Sequence, residues 1–214
     1  MDQKIIRIPN IIFDFGGVLF AIDYNAPARE FSKLGWTGFT SEYAQAAQSD
    51  VYDRLEIGDI SVEDFWNYLY LKMPNVPQQA VRDAWNSILL HPIAERIAAI
   101  PKIKDAGYRT FLLSNTNATH VPEFEQMMKD AGDYSTFKAG FEFIHYSQEL
   151  GMRKPHPETF LHLCEIHQLN PEETLFIDDS IQHIEGAKKA GLQTLHLTPE
   201  KDLLVELKAF GILY

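Results

Sequence analysis

The chain has 214 residues, of which 45% are hydrophobic and 23% are charged, a composition typical of one soluble globular domain with or without an insertion. Its 30 acidic and 19 basic residues give a formal net charge of −11. This charge argues against nucleic acid and against an anionic membrane surface as partners, because both would repel an acidic protein.

The cysteine content and the first residues of the chain bear on the cellular location of the protein. Cys164 is the only cysteine, so no intrachain disulfide can form, and we expect a reducing, cytoplasmic location. Cys164 lies in an apolar helical pattern, which predicts a buried position. Residues 1–9 include polar and charged side chains, and Asp14 interrupts the apolar stretch that follows, so we expect no signal peptide and no membrane span.

Short apolar runs alternate with amphipathic segments along most of the chain, which is the pattern of a parallel α/β sheet. The predicted strands are, in chain order, Ile11–Phe15, Arg109–Ser114, Phe141–His145, Thr174–Ile177 and Gln193–Leu197. The predicted helices are Ala94–Ala106, Ala118–Asp130, Pro157–His167, Ile181–Ala190 and Asp202–Phe210.

The region from about Ile22 to His91 breaks this alternation, because it contains no strand-like run and is rich in aromatic residues. Ser61 precedes an acidic and apolar segment in the manner of a capped helix start. We therefore predict a helical insertion directly after the first strand, with the aromatic residues as its own core. Such an insertion would lie over the carboxyl edge of the sheet, where α/β folds bind ligands.

Reactive side chains follow the predicted strands. Asp14 ends the first apolar run and precedes Gly16 and Gly17, which permit a tight turn and close approach of the backbone to a ligand. A carboxylate in this position can attack phosphorus and form an aspartyl-phosphate. The alternative is an aspartate that only caps the turn.

Ser114 and Asn115 end the second strand, where a hydroxyl and a helix N-terminus can donate hydrogen bonds to phosphate oxygens, although helix capping is an equally common role. Lys154 precedes Pro155 and can neutralise the negative charge of a phosphoryl group. The alternative for Lys154 is a solvated surface lysine.

Asp178 and Asp179 end the apolar strand that begins near Thr174. Two adjacent carboxylates repel each other unless a cation holds them, and Mg²⁺ prefers one or two carboxylates together with phosphate and water. We therefore predict a Mg²⁺ site at this strand end, with helix capping by one aspartate as the alternative.

Taken in order, these four segments resemble the haloacid dehalogenase-like hydrolase superfamily, from Ile11 to about Leu197. The resemblance implies an α/β fold with a doubly wound, Rossmann-like parallel core made of residues 1–21 and 92–214, and a helical cap made of residues 22–91. The segments Ser147–Pro155 and Phe176–Asp179 look similar to bacterial α-D-glucose-1-phosphate phosphatases and to the N-terminal phosphatase domain of soluble epoxide hydrolases. Asp53–Ser61 looks similar to the first group.

The resemblance also implies the roles of individual residues. Asp14 would be the nucleophile, and Ser114 and Lys154 would hold the phosphoryl group and stabilise its charge. The Mg²⁺ ligands would be Asp14, the carbonyl of Gly16, Asp178 and Asp179. We place Asn115, Gly17 and Asp23 among the substrate-binding residues.

Two positions depart from the family pattern. The phosphatase motif usually carries a second aspartate, the general acid–base, where this chain has Gly16, and such help contributes roughly 10²–10⁴-fold to the rate. The glucose-1-phosphate group resembles this chain in having glycine there, and Asp23 is a candidate substitute. His183 stands where many relatives carry aspartate or asparagine.

The sequence therefore predicts a Mg²⁺-dependent phosphatase for a small phosphomonoester, with a sugar phosphate as one candidate. A 2-haloacid dehalogenase is an alternative, but it needs no metal and leaves Asp178 and Asp179 unexplained. A second alternative is a non-catalytic binding protein of the same fold, because Gly16 has no side chain that could act as the general acid. We expect a monomer or a homodimer that binds a small molecule and neither nucleic acid nor membrane.

Overall fold

The structure is a computed structural model that describes residues 8–44, 47, 48 and 50–212. The strands are β1 (Asn10–Phe13), β2 (Phe20–Ile22), β3 (Tyr43–Ala44), β4 (Ala47–Gln48), β5 (Leu89–Pro92), β6 (Arg109–Ser114), β7 (Phe143–Tyr146), β8 (Thr174–Asp178) and β9 (Gln193–His196). The α-helices are α1 (Ala26–Lys33), α2 (Asp50–Glu56), α3 (Val62–Lys72), α4 (Gln78–Asn86), α5 (Ala94–Asp105), α6 (His120–Ala131), α7 (Tyr134–Gly140), α8 (Ser147–Leu150), α9 (Pro157–His167), α10 (Ile181–Lys189) and α11 (Leu203–Ala209). No helix among these residues combines the length and the apolar character that crossing a bilayer requires.

The centre of the fold is a parallel sheet in which the strand order is β7-β6-β1-β8-β9. Strand β1 lies in the middle, and its residue Phe13 pairs with Leu112 of β6 on one side and with Ile177 of β8 on the other. The order reverses direction at β1, which is the arrangement of a doubly wound α/β sheet. The predicted fold class is confirmed.

Helices cover both faces of this sheet, because alternate strand residues point to opposite sides. On one face, Phe13 of β1 belongs to a buried cluster with residues of α5, α6, α7 and α11. On the other face, Ile12 packs in a second cluster with residues of α9 and α10, which includes the buried Cys164. The prediction of a buried Cys164 is confirmed. The three central strands, β1, β6 and β8, are buried on both faces, which explains their nearly continuous apolar sequences.

The helical region between β2 and β5 has a hydrophobic cluster of its own, which contains all the aromatic residues that we expected to form one. Trp85 lies at its centre and stacks on Tyr52, with ring centroids 5.6 Å apart. The Ser61 side chain accepts a hydrogen bond from the backbone amide of Asp64 at the start of α3, as the capping pattern predicted. The division of the chain into core and cap at residues 22 and 91 stays a prediction.

Several elements differ from the predictions. The region from Ile22 to His91 was expected to lack strands, but β2 and β5 pair antiparallel at its two ends, and β3 pairs with β4 inside it. These strands are two to four residues long, so they carry no readable periodicity. Helices α7 and α8 were also missed. The strand expected at Phe141–His145 begins two residues later, after the α7 helix has ended.

Candidate active site

The predicted catalytic side chains meet at the carboxyl edge of the sheet. Asp14 follows β1, Ser114 is the last residue of β6, and Asp178 is the last residue of β8. The backbone amide of Asp14 donates a hydrogen bond to Ile177 at 2.9 Å, which continues the pairing of β1 with β8 by one step. Because these neighbouring strands are parallel and in register, their terminal side chains must lie side by side.

Lys154 lies between two of these carboxylates. Its ammonium group is 2.6 Å from Oδ1 of Asp14 and 2.8 Å from Oδ2 of Asp178, and its side chain is 0% exposed. The interpretation of Lys154 as a solvated surface lysine is therefore wrong. Burial alone would lower the pKa of Lys154, but Asp14 and Asp178 raise it above its ordinary value, so the side chain is a fixed positive charge.

Asn115 holds the backbone of that lysine. Its side-chain amide donates to the carbonyl of Lys154 at 2.8 Å, and its side-chain oxygen accepts from the amide of Lys154 at 3.0 Å. We predicted that Asn115 contacts substrate. It lines the cavity, but its side-chain amide is hydrogen-bonded to the backbone of Lys154. Ser147, which we did not predict, anchors the loop that carries Asn115, because it makes two hydrogen bonds to the backbone of the next residue, Thr116.

The carboxylates outnumber the cations at this strand edge. Burial raises the pKa of Asp14 well above its usual range, and Asp178 and Asp179 raise it further, although Lys154 acts against them. Burial and then Asp178 raise the pKa of Asp179 to about 6. Among the described residues, no basic side chain lies within ion-pairing distance of Asp179. An additional cation would relieve this repulsion.

Gly17 provides the space for the Asp179 carboxylate. A Cβ atom on Gly17 would lie 2.4 Å from Oδ2 of Asp179, and the φ angle of Gly17 is +71°. Only glycine therefore suits this position, both for its backbone and for its neighbour. The carboxylates of Asp14 and Asp179 lie close enough to raise the pKa of Asp14, and they supply oxygen atoms, which is the ligand type that Mg²⁺ prefers. The residues fit such an ion.

His183 belongs with Asp178. Its Nδ1 atom lies 3.0 Å and 2.9 Å from the two oxygens of Asp178, and the amide of Ser180 donates to the same carboxylate at 2.7 Å. Asp14, Asp178 and His183 each offer a donor atom within 4.8 Å of the others. The space between Asp14 and Asp178 is, however, bridged by the ammonium group of Lys154. Asp178 is thus fixed by Lys154, His183 and Ser180.

Asp23 was predicted to bind substrate and to replace the missing acid, and the structure does not bring it to the cavity. Its carboxylate pairs with Arg29 at 2.6 Å and accepts from the amide of Asn25 at 2.9 Å, and its side chain is 32% exposed. The hydrogen bond from Arg29 lowers the pKa of Asp23. A general acid needs a raised pKa, so this environment opposes the role we expected.

Gly16 lines the cavity beside Asp14, at the position where an acid was expected. A Cβ atom on Gly16 would lie 2.7 Å from Cδ1 of Ile22, so Ile22 occupies the space that a longer side chain would need. A side chain at position 16 would therefore require the Cδ1 atom of Ile22 to move.

A cavity of about 70 Å³ opens above Asp14 and lies between the sheet edge and the helical region. From the sheet side it is lined by Gly16, Ser114, Asn115, Thr116, Asn117, His120, Arg153 and His183, among others. From the helical side it is lined by Ile22, Tyr24, Tyr43, Glu56, Ile88 and Leu89. Sequence reasoning did not assign the following lining residues to the site: Ile22, Tyr24, Tyr43, Glu56, Ile88, Leu89, Asn117, His120 and Arg153.

A buried polar network joins the helical region to the sheet beside this cavity. The indole nitrogen of Trp85 donates to the hydroxyl of Thr119 at 2.8 Å, and that hydroxyl donates to the side-chain oxygen of Asn117 at 2.5 Å. His120 stacks on Trp85 with ring centroids 4.7 Å apart and contacts the Asn117 amide at 3.1 Å. Asn117 followed by Thr119 is a turn-forming pattern, which is the signal that sequence reasoning passed over.

Comparison with known proteins gives the relationships of the chain. The sequence profile of the family described as haloacid dehalogenase-like hydrolase matches residues 8–191. The chain is 30% identical over 193 residues to a D-ribitol-5-phosphate phosphatase from Bacteroides thetaiotaomicron, covering 87% of this chain and 90% of that protein. It is 24% identical over 203 residues to a sesquiterpene phosphatase from Aspergillus oryzae, covering 92% and 93%.

Some of the similar solved structures carry ligands that bear on the site. One of them is a HAD family enzyme from Bacteroides thetaiotaomicron, an aspartate-to-alanine mutant in complex with magnesium and inorganic phosphate. It superimposes with a TM-score of 0.83 at 28% identity and covers 94% of this chain and 98% of its own.

Proposed function

The chain belongs to the haloacid dehalogenase-like hydrolase family, and from that premise we propose that it is a Mg²⁺-dependent phosphatase. Its substrate would be a small phosphomonoester, and Asp14 would form an aspartyl-phosphate with it. The observation that carries this proposal is the buried Lys154 held between Asp14 and Asp178 at the sheet edge, with Asp179 beside them. The relatives named as phosphatases support the same reaction class.

The metal would be held by oxygen atoms around Asp14. We assign the Asp14 carboxylate, the Gly16 carbonyl and the Asp179 carboxylate as its protein ligands, because Lys154 and His183 already engage Asp178. Asp178 would act through Lys154 and His183 rather than as a direct ligand. When bound, Mg²⁺ supplies positive charge that neutralises the phosphoryl oxygens and the neighbouring carboxylates.

The residues of the chain would divide the reaction between them. Asp14 attacks phosphorus, the P–O bond to the leaving group breaks, and water then attacks the phosphorus of the aspartyl-phosphate to release inorganic phosphate. Lys154 stabilises the charge that develops on the phosphoryl oxygens. Ser114 and the backbone amides of the loop that follows it would donate hydrogen bonds to those oxygens.

The leaving group would receive no proton from position 16, because Gly16 has no side chain. General acid help is worth roughly 10²–10⁴-fold, so we expect slow hydrolysis of alkyl phosphates and faster hydrolysis of esters whose leaving groups are weak bases. The proposed function therefore includes a dependence of rate on the leaving-group pKa.

We also propose that residues 22–91 act as a cap over a core of residues 1–21 and 92–214. The ion pairs of Arg153 with Asp53 and with Glu56 would hold this cap over the cavity. On the grounds of charge and cysteine content, a cytoplasmic monomer or homodimer without nucleic-acid or membrane partners stays our prediction.

The test is phosphate release from a panel of phosphomonoesters, with p-nitrophenyl phosphate included, in Mg²⁺ and in EDTA. The panel is run on the wild type, on Asp14→Asn and on Asp105→Asn, in which an exposed carboxylate on α5 is neutralised as a control. We expect release that requires Mg²⁺, survives in Asp105→Asn and disappears in Asp14→Asn. Turnover of a 2-haloacid in EDTA would favour the dehalogenase, and release by Asp14→Asn at the wild-type rate would refute the nucleophile.

A further inference from the structure

Arg153 lies at the boundary between the cavity and an outer groove. On the outer side it pairs with Asp53, and both residues line a surface groove with Gly151, Met152 and Thr159. On the inner side its Nη2 atom lies 3.0 Å from Oε2 of Glu56, and Arg153 and Glu56 both line the cavity above Asp14. Asp53 does not line that cavity, so the inner partner of Arg153 is Glu56.

Glu56 and Arg153 are largely withdrawn from solvent, with side chains that are 12% and 21% exposed. The Nε–H group of Arg153 is buried and has no hydrogen-bond acceptor among the residues that the structure describes. A buried polar group without a partner is unfavourable, so a ligand that offers an acceptor there would gain free energy. The pair thus combines a carboxylate acceptor with guanidinium donors at one place.

Tyr24 and Tyr43 connect this pair to the reacting end of the cavity. Burial raises the pKa of Tyr24 well above its usual range, and the nearby charges of Asp179, Asp14 and Glu56 raise it further. Tyr24 lines the same cavity as Asp14 and Glu56. Burial and then Glu56 also raise the pKa of Tyr43, so both phenols stay neutral and can donate or accept hydrogen bonds.

The charges around this end of the cavity select against ionic groups. The guanidinium of Arg153 lies against two carboxylates, those of Asp53 and Glu56, which would repel an anionic group on the ligand at this end of the cavity. A cation would be opposed by Arg153. Hydroxyl groups suit the site, because each one can donate to Glu56 and accept from Arg153.

We propose that Glu56 and Arg153, together with Tyr24 and Tyr43, form the leaving-group subsite, and that it accepts a small, uncharged, polyhydroxylated alcohol. This inference rests on the proposed phosphatase function, and it names the substrate class that the sequence left open. Glu56 determines specificity through its contact with the hydroxyl groups, while Asp53 holds Arg153 in position from outside.

The experiment compares three phosphomonoesters of equal chain length with the full-length protein in Mg²⁺: a linear five-carbon polyol phosphate, pentyl phosphate and a five-carbon aldonic acid phosphate. p-Nitrophenyl phosphate serves as a common reference. We expect the wild type to prefer the polyol phosphate to pentyl phosphate by at least about 100-fold in kcat/KM, since sites built for hydroxyls reject analogues that lack them. The aldonic acid phosphate should also be a poor substrate.

The variants are Glu56→Gln and the control Glu63→Gln, which neutralises an exposed residue in the first turn of α3. Glu56→Gln should lower the preference for the polyol by about 10-fold, because hydrogen bonds to a charged acceptor are stronger than those to a neutral one. It should also raise kcat/KM for the aldonic acid phosphate relative to the polyol phosphate. Glu63→Gln should change neither this ratio nor the preference for the polyol over pentyl phosphate.

The outcomes separate the subsite from the proposed function. Hydrolysis of p-nitrophenyl phosphate without a polyol preference in the wild type would overturn the subsite and leave the phosphatase intact. No hydrolysis of any ester would overturn the proposed function itself. Whether the polyol phosphate is preferred is decided by the wild type alone, so the subsite can be refuted even if Glu56→Gln does not fold.

Discussion

Gly17→Ala tests whether the Asp179 carboxylate has to lie where the structure has it. The added Cβ atom would lie 2.4 Å from Oδ2 and 2.5 Å from Cγ of Asp179. Ordinary van der Waals contacts need roughly 3.5 Å, so the carboxylate must retreat by about 1 Å. A displacement of that size in a catalytic site is worth about 10²-fold in rate.

The same substitution strains the backbone, because the φ angle of Gly17 is +71° and a left-handed conformation costs a non-glycine residue about 1–2 kcal/mol. Gly132→Ala separates the two effects. Gly132 has a φ angle of +81°, and a Cβ atom there would have no neighbour within 4 Å. Both variants should therefore lose about 1–2 kcal/mol of unfolding free energy through backbone strain, and only Gly17→Ala should also displace Asp179.

The assay is a Mg²⁺ titration of phosphate release, with urea unfolding in EDTA as the measure of stability. For Gly17→Ala we expect half-maximal activity at about 10–100-fold higher Mg²⁺ concentration, which is the usual effect of disturbing groups that orient a metal ligand. We expect kcat/KM to fall by about 10²-fold. If Gly17→Ala and Gly132→Ala gave the same Mg²⁺ titration, Asp179 would not be a metal ligand.

The remaining predictions concern charge, packing and pH. Lys154→Met should abolish phosphate release and lower the free energy of unfolding in EDTA by about 3–5 kcal/mol, because it leaves buried carboxylates unpaired; a stable, active variant would contradict its role. Gly16→Asp should gain rate on alkyl phosphates, and should gain more when Ile22→Val also removes the Cδ1 atom that lies 2.7 Å from the new Cβ; no gain in the double variant would mean that no acid is missing. Burial lowers the pKa of His120 to about 3, so the unfolded state takes up its proton first as the pH falls below about 6.5, and stability should decline by about 2 kcal/mol between about pH 6.5 and pH 5. His120→Gln should flatten that part of the urea-unfolding profile, and an unchanged slope would refute the assignment.

The strand ends could be predicted because they depend on local patterns and on one general rule. Asp14, Ser114 and Asp178 each follow an apolar run, and the carboxyl ends of adjacent parallel strands meet at one sheet edge. The α9 helix was predicted with its observed bounds, since a proline at its start and a regular apolar pattern mark it. In these cases the information lies within a few neighbouring residues.

The residues that sequence reasoning missed depend on contacts between distant segments. Strand β2 exists because Phe20 pairs with Pro92, far along the chain, and that pairing has no trace in either short segment. Lys154 was predicted to neutralise a phosphoryl group, but its burial between Asp14 and Asp178 could not be, because Asp14 lies 140 residues away along the chain. Asp23 looked available for catalysis only because its ion pair with Arg29 could not be foreseen. Glu56 acquires its place through the docking of α2 against Arg153.

The central claim is that Asp14 carries the phosphoryl group during turnover, and rapid quenching tests it most directly. Protein mixed with Mg²⁺ and p-nitrophenyl phosphate is stopped in acid, reduced with borohydride and digested, so that an aspartyl-phosphate becomes homoserine. We predict homoserine at position 14 in the wild type, none without substrate and none in Asp14→Asn. Turnover that leaves Asp14 unmodified, or that modifies another carboxylate instead, would contradict the account.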